Sequence, residues 1–223
     1  FVEQGYLPEA LRNFLGLLGY SQPDGTEVFT FEEMSRDFDW ARLNTVGPVF
    51  DLDKLGWLNG HYVRELAPGD LADRLEPFLR DAGLYTGTAD QRALLDGAVP
   101  LVQTRMAVLS ECVDLLRCLF VAEEEFAVEP AAREKALGAD AAPVLAACAD
   151  ALEPLGEWTT ESVQSAMDAA LIEGLGLKRG KAYAHVRTAV TGSGIAPPLP
   201  ESMALLGKEK VLRRLRAAAA AQP

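Results

Sequence analysis

Three observations make this 223-residue sequence an all-α protein. Alanine and leucine abound, and apolar residues recur at intervals of three and four along most of the chain. Glycine and proline punctuate it at helix-length intervals, and the apolar/polar alternation of half-buried strands is scarce. An apolar content of 49% is ample for a packed core.

The helices follow in order. Pro8 opens the first, over 8–19, with Leu11, Phe14, Leu15 and Leu18 as its apolar stripe. Ser21 to Gly25 is a turn by composition. Thr30 with Glu33 three residues later has the capping-box form and starts a helix running to about Phe38. Residues 39–44 form a short helical turn and 45–48 a connector. Asp51 caps a helix over 52–66, with Leu55, Leu58, Tyr62 and Leu66 on one side. Within it, Asn59-Gly60 is unusual, because an interior glycine costs about 1 kcal/mol relative to alanine. Lys54, Trp57, Asn59, His61 and Arg64 gather donors around an aromatic. Two accounts stand level: a polar face suited to RNA sugar and phosphate, or a core tryptophan beside solvated groups.

Pro68-Gly69 breaks the chain and marks a domain boundary at 67/68. Helices are expected over 70–82, 88–97 and, long and mostly apolar, 100–120. Arg105 lies in the last of these, placed either to pair with Glu111 or Asp114 or to present its planar fork to a base edge. Glu123 to Glu125 is an acidic run of solvated character that closes a helical layer, giving a second boundary at 127/128. Helices over 130–137, 141–155 and 160–174 follow. Thr159 or Thr160 opens the last of them, with Trp158 before it.

The segment 178–216 stands apart. It holds nine Lys and Arg (178, 179, 181, 187, 208, 210, 213, 214, 216) against Glu201 and Glu209, in a chain of net charge −12. Such a local excess suggests a docking surface for an anion, most simply a nucleic-acid backbone. A helix over 178–190 ends at Gly192. A Gly- and Pro-rich loop stiffened by Pro197-Pro198 leads into a second helix that Gly207 kinks or divides. An amphipathic hairpin with a solvated basic face accounts for the same pattern.

Other classes find little support. No apolar run approaches the roughly 20 residues of a membrane span. Cys112, Cys118 and Cys148 form no CxxC pair and read as buried thiols of a reducing compartment. There is no phosphate-binding Gly-rich loop, HExxH or GxSxG motif, so a helical binding module is a better expectation than an autonomous enzyme. The chain begins at Phe1 without a leader-like segment and reads as part of something longer.

Three stretches carry a resemblance: EQGYLPEALRNFLGLLGYS, FDLDKLGWLNGHYVR and RTAVTGSGIAPPLPESMALLGKEKVLRRL. In this order and spacing they resemble bacterial class I glutamyl-tRNA synthetases downstream of the KMSKS-type loop. The resemblance implies a helical stem-contact domain over 1–67. A helical anticodon-binding domain then follows as two subdomains, 68–127 and 128–223. It implies that Lys54 and Trp57 contact the inner side of the tRNA L. Arg105, with Arg92 and Arg117 as alternatives, would read the third anticodon base. Arg187, Ala196, Pro197, Pro198 and Leu199 would line the pocket for the first and second. Ala196 stands where a relative carries Thr, which leaves readout there to backbone groups and apolar stacking. Arg64, Lys178, Lys181 and Lys208 are the further candidates for the tRNA backbone. The implied partners are tRNA-Glu and the catalytic domain of the same full-length chain, in a cytoplasmic monomer without membrane attachment. ATP and magnesium are expected for the full-length ligase and no cofactor for this part, which alone would be inactive. From another class, a non-catalytic domain docking an acidic protein partner is the alternative.

Overall fold

The computed structural model describes residues 1–36, 38–44, 47 and 49–221. Among them there are twelve α-helices, several short 3-10 turns and no strand beyond one bridge, Tyr20 to Leu43. Most of the predicted 45–48 connector lies outside the described residues. The chain divides into two compact units: 1–78 with 102–112, and 79–101 with 113 onward.

In the first unit, α1 (Pro8–Gly19) packs on α3 (Leu52–Glu65), and the short α2 (Phe31–Arg36) packs beside α1. Phe14, Leu55 and Leu58 form the core, with Leu11, Leu18, Val28 and Tyr62 against it. Each of the three fully buried side chains contributes about 1.5–3 kcal/mol by leaving water. The caps hold as predicted. Thr30 and Glu33 satisfy each other's backbone N–H groups at 3.1 and 2.7 Å, and Asp51 accepts from the N–H groups of Asp53 and Lys54. Asp39 caps the 3-10 turn Trp40–Arg42.

Asn59 is not part of a polar surface. It is fully buried, its Oδ1 accepting from Leu7 N–H at 2.7 Å and its Nδ2 donating to Ala107 O at 2.5 Å. At Gly60 beside it a Cβ would meet Met106 O at 3.5 Å, an ordinary contact, so the nearness of the 106–107 backbone does not itself require glycine. Asn59 is thus a buried tie between segments of this unit.

Other expectations shift. The helix break falls at Leu66 and Ala67, just ahead of the expected Pro68-Gly69, and Pro68 occupies the first turn of α4 (Pro68–Asp81), a position where its missing N–H costs nothing. No helix spans 100–120. α5 (Ala89–Val102) extends past Gly97 and ends, 3-10 turns follow at Gln103–Arg105 and Leu109–Glu111, and α6 begins at Cys112 (Cys112–Phe120). Met106 and Val108 are extended, and Glu111 accepts from the N–H groups of Ala107 and Val108, capping the restart.

In the second unit α8 (Ala141–Leu152) is the central helix, burying Val144, Leu145, Cys148 and Leu152. α10 (Arg179–Thr191) and α12 (Lys208–Ala220) pack on it, and α7 (Pro130–Ala136) packs on α10. α9 (Thr160–Met167), capped by Thr159, widens into a π-helical stretch Asp168–Gly174 instead of remaining α-helical to 174. It packs against α11 (Leu199–Leu206), where Trp158 Nε1–H donates to Met203 O at 2.9 Å. Gly207, at φ +82°, divides α11 from α12.

Glu123 is not a solvated surface acid. Its carboxylate pairs with Arg214, which is only 3% exposed. Arg214 Nη1 also donates to Cys118 O at 3.0 Å and Val190 O at 2.7 Å, and its guanidinium lies 3.7 Å from the Phe126 ring centre. This residue leaves the basic surface expected of 178–216 and becomes a bolt through the second unit.

Candidate nucleic-acid interface

The first unit presents one stripe of α3. Positions 54, 57, 61 and 64 follow the three- and four-residue spacing of a single helix face, opposite buried Leu55, Leu58 and Val63. Trp57 is 52% exposed, so it is a surface aromatic and not a core one. Arg64 is exposed, and His61 meets Tyr62 edge to face. Lys54 is engaged already, its Nζ 2.6 Å from Glu27 Oε1.

Arg105 reaches this unit by a device that sequence reading missed. The Gln103 side-chain amide donates to the carbonyls of Val63, Arg64 and Leu66, at 3.0, 3.2 and 2.8 Å. Val63 and Arg64 carry two of the last carbonyls of α3, which have no partner within the helix, and Leu66 is the residue that follows its end. Gln103 therefore caps α3 and places the exposed Arg105, two residues on, beside the helix end that carries Arg64. A glutamine following an apolar run gives no sign of this in one dimension.

In the second unit, α10 stops at Gly192 (φ +77°), where a Cβ would lie 2.7 Å from Ala127 O. Glu129 N–H donates to Gly192 O at 2.8 Å, and Ser193 Oγ–H donates to Glu129 Oε2 at 3.2 Å. The loop is thereby tied to the segment before α7. Its far end is held where Pro198 O accepts from Ser202 N–H and Oγ–H. Between these ties Ala196, Pro197 and Leu199 are buried, Pro198 is half-buried, and Ile195 is 72% exposed. What the loop offers outward is Pro198, Ile195 and backbone.

The basic residues of 178–216 are mostly committed within the unit. Arg179 pairs with Asp168, Lys181 with Asp140 and Arg216 with Glu153, each at 2.6 Å. Arg213 and Arg214 share Glu123. The Lys181 hydrogen bond holds the Asp140 carboxyl below its ordinary range, and Arg216 does the same for Glu153. Lys208 Nζ donates to Leu155 O at 2.8 Å. That leaves Lys178, Arg187 and Lys210 without an ion pair or side-chain hydrogen bond among the described residues. A continuous cationic face is therefore absent there.

Arg187 is half-buried, and its Nε has no partner among the described residues. It lines a cavity of about 370 Å³ with Lys135, Asp140, Lys181, His185 and Gly194. Lys135 and His185 were not singled out by sequence, since neither belongs to a recognisable motif. Arg105 falls in the first unit, and Arg187 with the 196–199 loop in the second.

Comparison with known proteins gives these features a context. A family model described as anticodon binding domain matches residues 70–219. A second, described as the catalytic domain of class I tRNA synthetases (E and Q), matches residues 1–57. Relatives include a glutamate–tRNA ligase of Acidothermus cellulolyticus, 57% identical over 222 residues, covering 99% of this chain and 44% of that protein. Another from Saccharopolyspora erythraea is 46% identical over 217 residues, covering 96% and 43%. The chain thus spans less than half the length of these relatives. A solved glutamate–tRNA ligase from Elizabethkingia meningosepticum shares the fold at a TM-score of 0.83 and 23% identity, covering 99% of this chain and 42% of that one.

Proposed function

We propose that this chain, which belongs to the anticodon-binding domain family, is the tRNA-selecting part of a glutamate–tRNA ligase. The observation that carries this is the 150-residue match over 70–219, which takes in Arg105, Arg187 and the 193–199 loop together. The geometry suits the role. Single-stranded bases are recognised by stacking and by hydrogen bonds to their edges, and a braced loop beside an unpaired guanidinium offers both. Arg105 reads the third anticodon base, and Arg187 with the loop at 196–199 serves the first and second. Residues 1–67 contact the stem side, through Trp57 and Arg64 with Lys54, and 68–127 and 128–223 act as the two anticodon subdomains. Lys178 meets phosphate directly, whereas Lys181 and Lys208 exchange a protein partner for it.

The partner is tRNA-Glu, bound by a monomer, with glutamate activation performed by the remainder of the ligase. ATP and magnesium act in that remainder under this proposal. Among the described residues no group of three or more His, Cys, Asp or Glu converges on a metal-sized site. No described helix is long and apolar enough to cross a membrane.

The test is binding of tRNA-Glu transcripts with native and altered anticodons. Base-dependent affinity that disappears in Arg105→Ala or Arg187→Ala supports the assignment. Equal affinity for every transcript, unmoved by either change, rejects it.

A further inference from the structure

We propose that His185 is a specificity-determining residue whose Nε2 accepts a hydrogen bond from the amino or imino N–H of a nucleobase seated between α7 and α10. The inference deepens the tRNA role proposed above and rests on it.

His185 lies on α10 and is 6% exposed. Its Nδ1 is 2.6 Å from Ala136 O. A carbonyl oxygen only accepts, so Nδ1 carries the hydrogen in this contact. In the neutral ring Nε2 is then a bare lone pair, an acceptor. That atom is buried and meets no partner among the described residues. Two residues along, Arg187 Nε always bears a hydrogen, and it too is buried without a partner. One unmet acceptor and one unmet donor thus belong to residues lining the same cavity of about 370 Å³, within the size range of small-ligand sites.

Buried polar atoms are rarely left unmatched, so such a pair points to an occupant that brings its own hydrogen bonds. A backbone phosphodiester does not complete the set. It can accept from Arg187, Lys181 and Lys135, but it has no hydrogen for His185. Of the two carboxylates on the wall, Asp140 is already taken by Lys181, and an ionised Glu134, like a phosphodiester, only accepts and so has no hydrogen for His185. A nucleobase carries both kinds of group, an N–H that His185 Nε2 can accept from and acceptors of the kind Arg187 serves. The methyl groups of Ala132 and Ala184, also on the wall, give its ring an apolar surface. The consequence is discrimination: a site that hydrogen-bonds a donor rejects a base lacking one at that place, because its own polar atom is left unpaired.

The chain has two histidines, His61 and His185, so the ring nitrogens are readily assigned in ¹⁵N-labelled protein. The probe is a synthetic anticodon stem-loop carrying CUC. On binding, the Nε2 resonance of His185 is expected to shift while that of His61 stays. His185→Asn keeps a donor for Ala136 O but removes the distal acceptor, and should weaken binding about tenfold, the loss of one hydrogen bond in a buried site. His185→Gln returns an acceptor to the distal position and should recover most of that loss. An unmoved Nε2 resonance in the wild-type complex, or native affinity in His185→Asn, overturns the inference. If Arg187→Ala still abolishes anticodon dependence in that case, the tRNA role stands and only His185 is dismissed. If the stem-loop and the full transcript both fail to bind, the two fall together.

Discussion

Replacing Arg214 by methionine tests whether the second unit is bolted as its geometry indicates. The change keeps much of the side-chain volume and removes the charge. Three groups then lose their partner: the Glu123 carboxylate, 13% exposed, and the carbonyls of Cys118 and Val190. Deleting one member of a buried ion pair costs about 3–5 kcal/mol, because the other charge is stranded. Arg213 lies 3.4 Å from the same carboxylate and is well exposed, so it can swing inward and return part of that loss. The net expectation is a destabilisation of about 3 kcal/mol, toward the lower end of the range for stranded buried charges. Urea unfolding followed by circular dichroism reads it as a lowered midpoint at unchanged slope. The double variant Arg214→Met with Glu123→Leu should recover a substantial part, since removing both charges cancels the desolvation penalty. A single variant within about 0.5 kcal/mol of native, the scatter of ordinary surface substitutions, would refute the reasoning. So would a double variant less stable than the sum of its parts.

Four further outcomes follow from other places in the molecule. Asn59→Ala should destabilise the protein by about 2–4 kcal/mol in the same urea assay, since it strands the Leu7 N–H and the Ala107 carbonyl in the core. Gly192→Ala should cost at least about 2 kcal/mol, from a left-handed backbone and a Cβ driven against Ala127 O, and should lower the thermal midpoint. Burial pushes the thiols of Cys118 and Cys148 up to about 11 and 12 from 9.0, and burial followed by the Asp168 hydrogen bond pushes Tyr183 up to about 12 from 10.0. These groups hold their protons more tightly when folded, so their stabilisation is complete below pH 9 and is lost as pH rises from 9 toward 12. A flat alkaline limb in a pH series of urea midpoints would contradict it. For tRNA binding, Lys178 and Lys210 are the second unit's uncommitted cations in 178–216 that are left for phosphate once Arg187 serves a base, and they imply a shallow salt dependence, with a log–log slope of about −1.4 from this pair at about −0.7 per phosphate. Titration of affinity against salt, with Lys178→Ala and Lys210→Ala each reducing the slope by a little under one, measures it.

Local grammar carried most of the helices. Thr30 with Glu33, Asp51, Thr159, Gly192 and Gly207 all act where capping chemistry places them, because each satisfies backbone groups within a few residues. The break at 103–108 was hidden for the opposite reason. Apolar residues continue on both sides of it, and what ends α5 is a tertiary bond: Gln103 prefers the open carbonyls of α3. Asn59 misled in the same way, since its partners lie at Gly5, Leu7 and Ala107. The basic segment was visible as a count but not as a surface. Its acids, Glu123, Asp140, Glu153 and Asp168, come from other elements, and no windowed charge sum anticipates which carboxylate a fold will bring to which guanidinium. Of the candidate site, the sequence singled out Arg187 and the loop; the pairing that sets Arg187 apart from its basic neighbours, and the orphan nitrogen of His185, it did not show.

Under the proposed function, that pairing changes how an acidic protein can select an RNA. At a net charge of −12 the long-range field opposes approach by a polyanion, and neutralised lysines and arginines do little to reverse it beyond a Debye length of about 8–10 Å. A bare cationic face would bind any strand; one satisfied by its own carboxylates gives a phosphate little advantage over the partner it displaces. The affinity that remains has to come from contacts made only at short range and only by the right base. Such contacts are available where polar atoms are buried and unpaired, as are those of Arg187 and His185 that line one cavity beside the loop tied at Glu129 and Ser202. Weak attraction to RNA in general and strong dependence on particular bases are then two results of one charge arrangement.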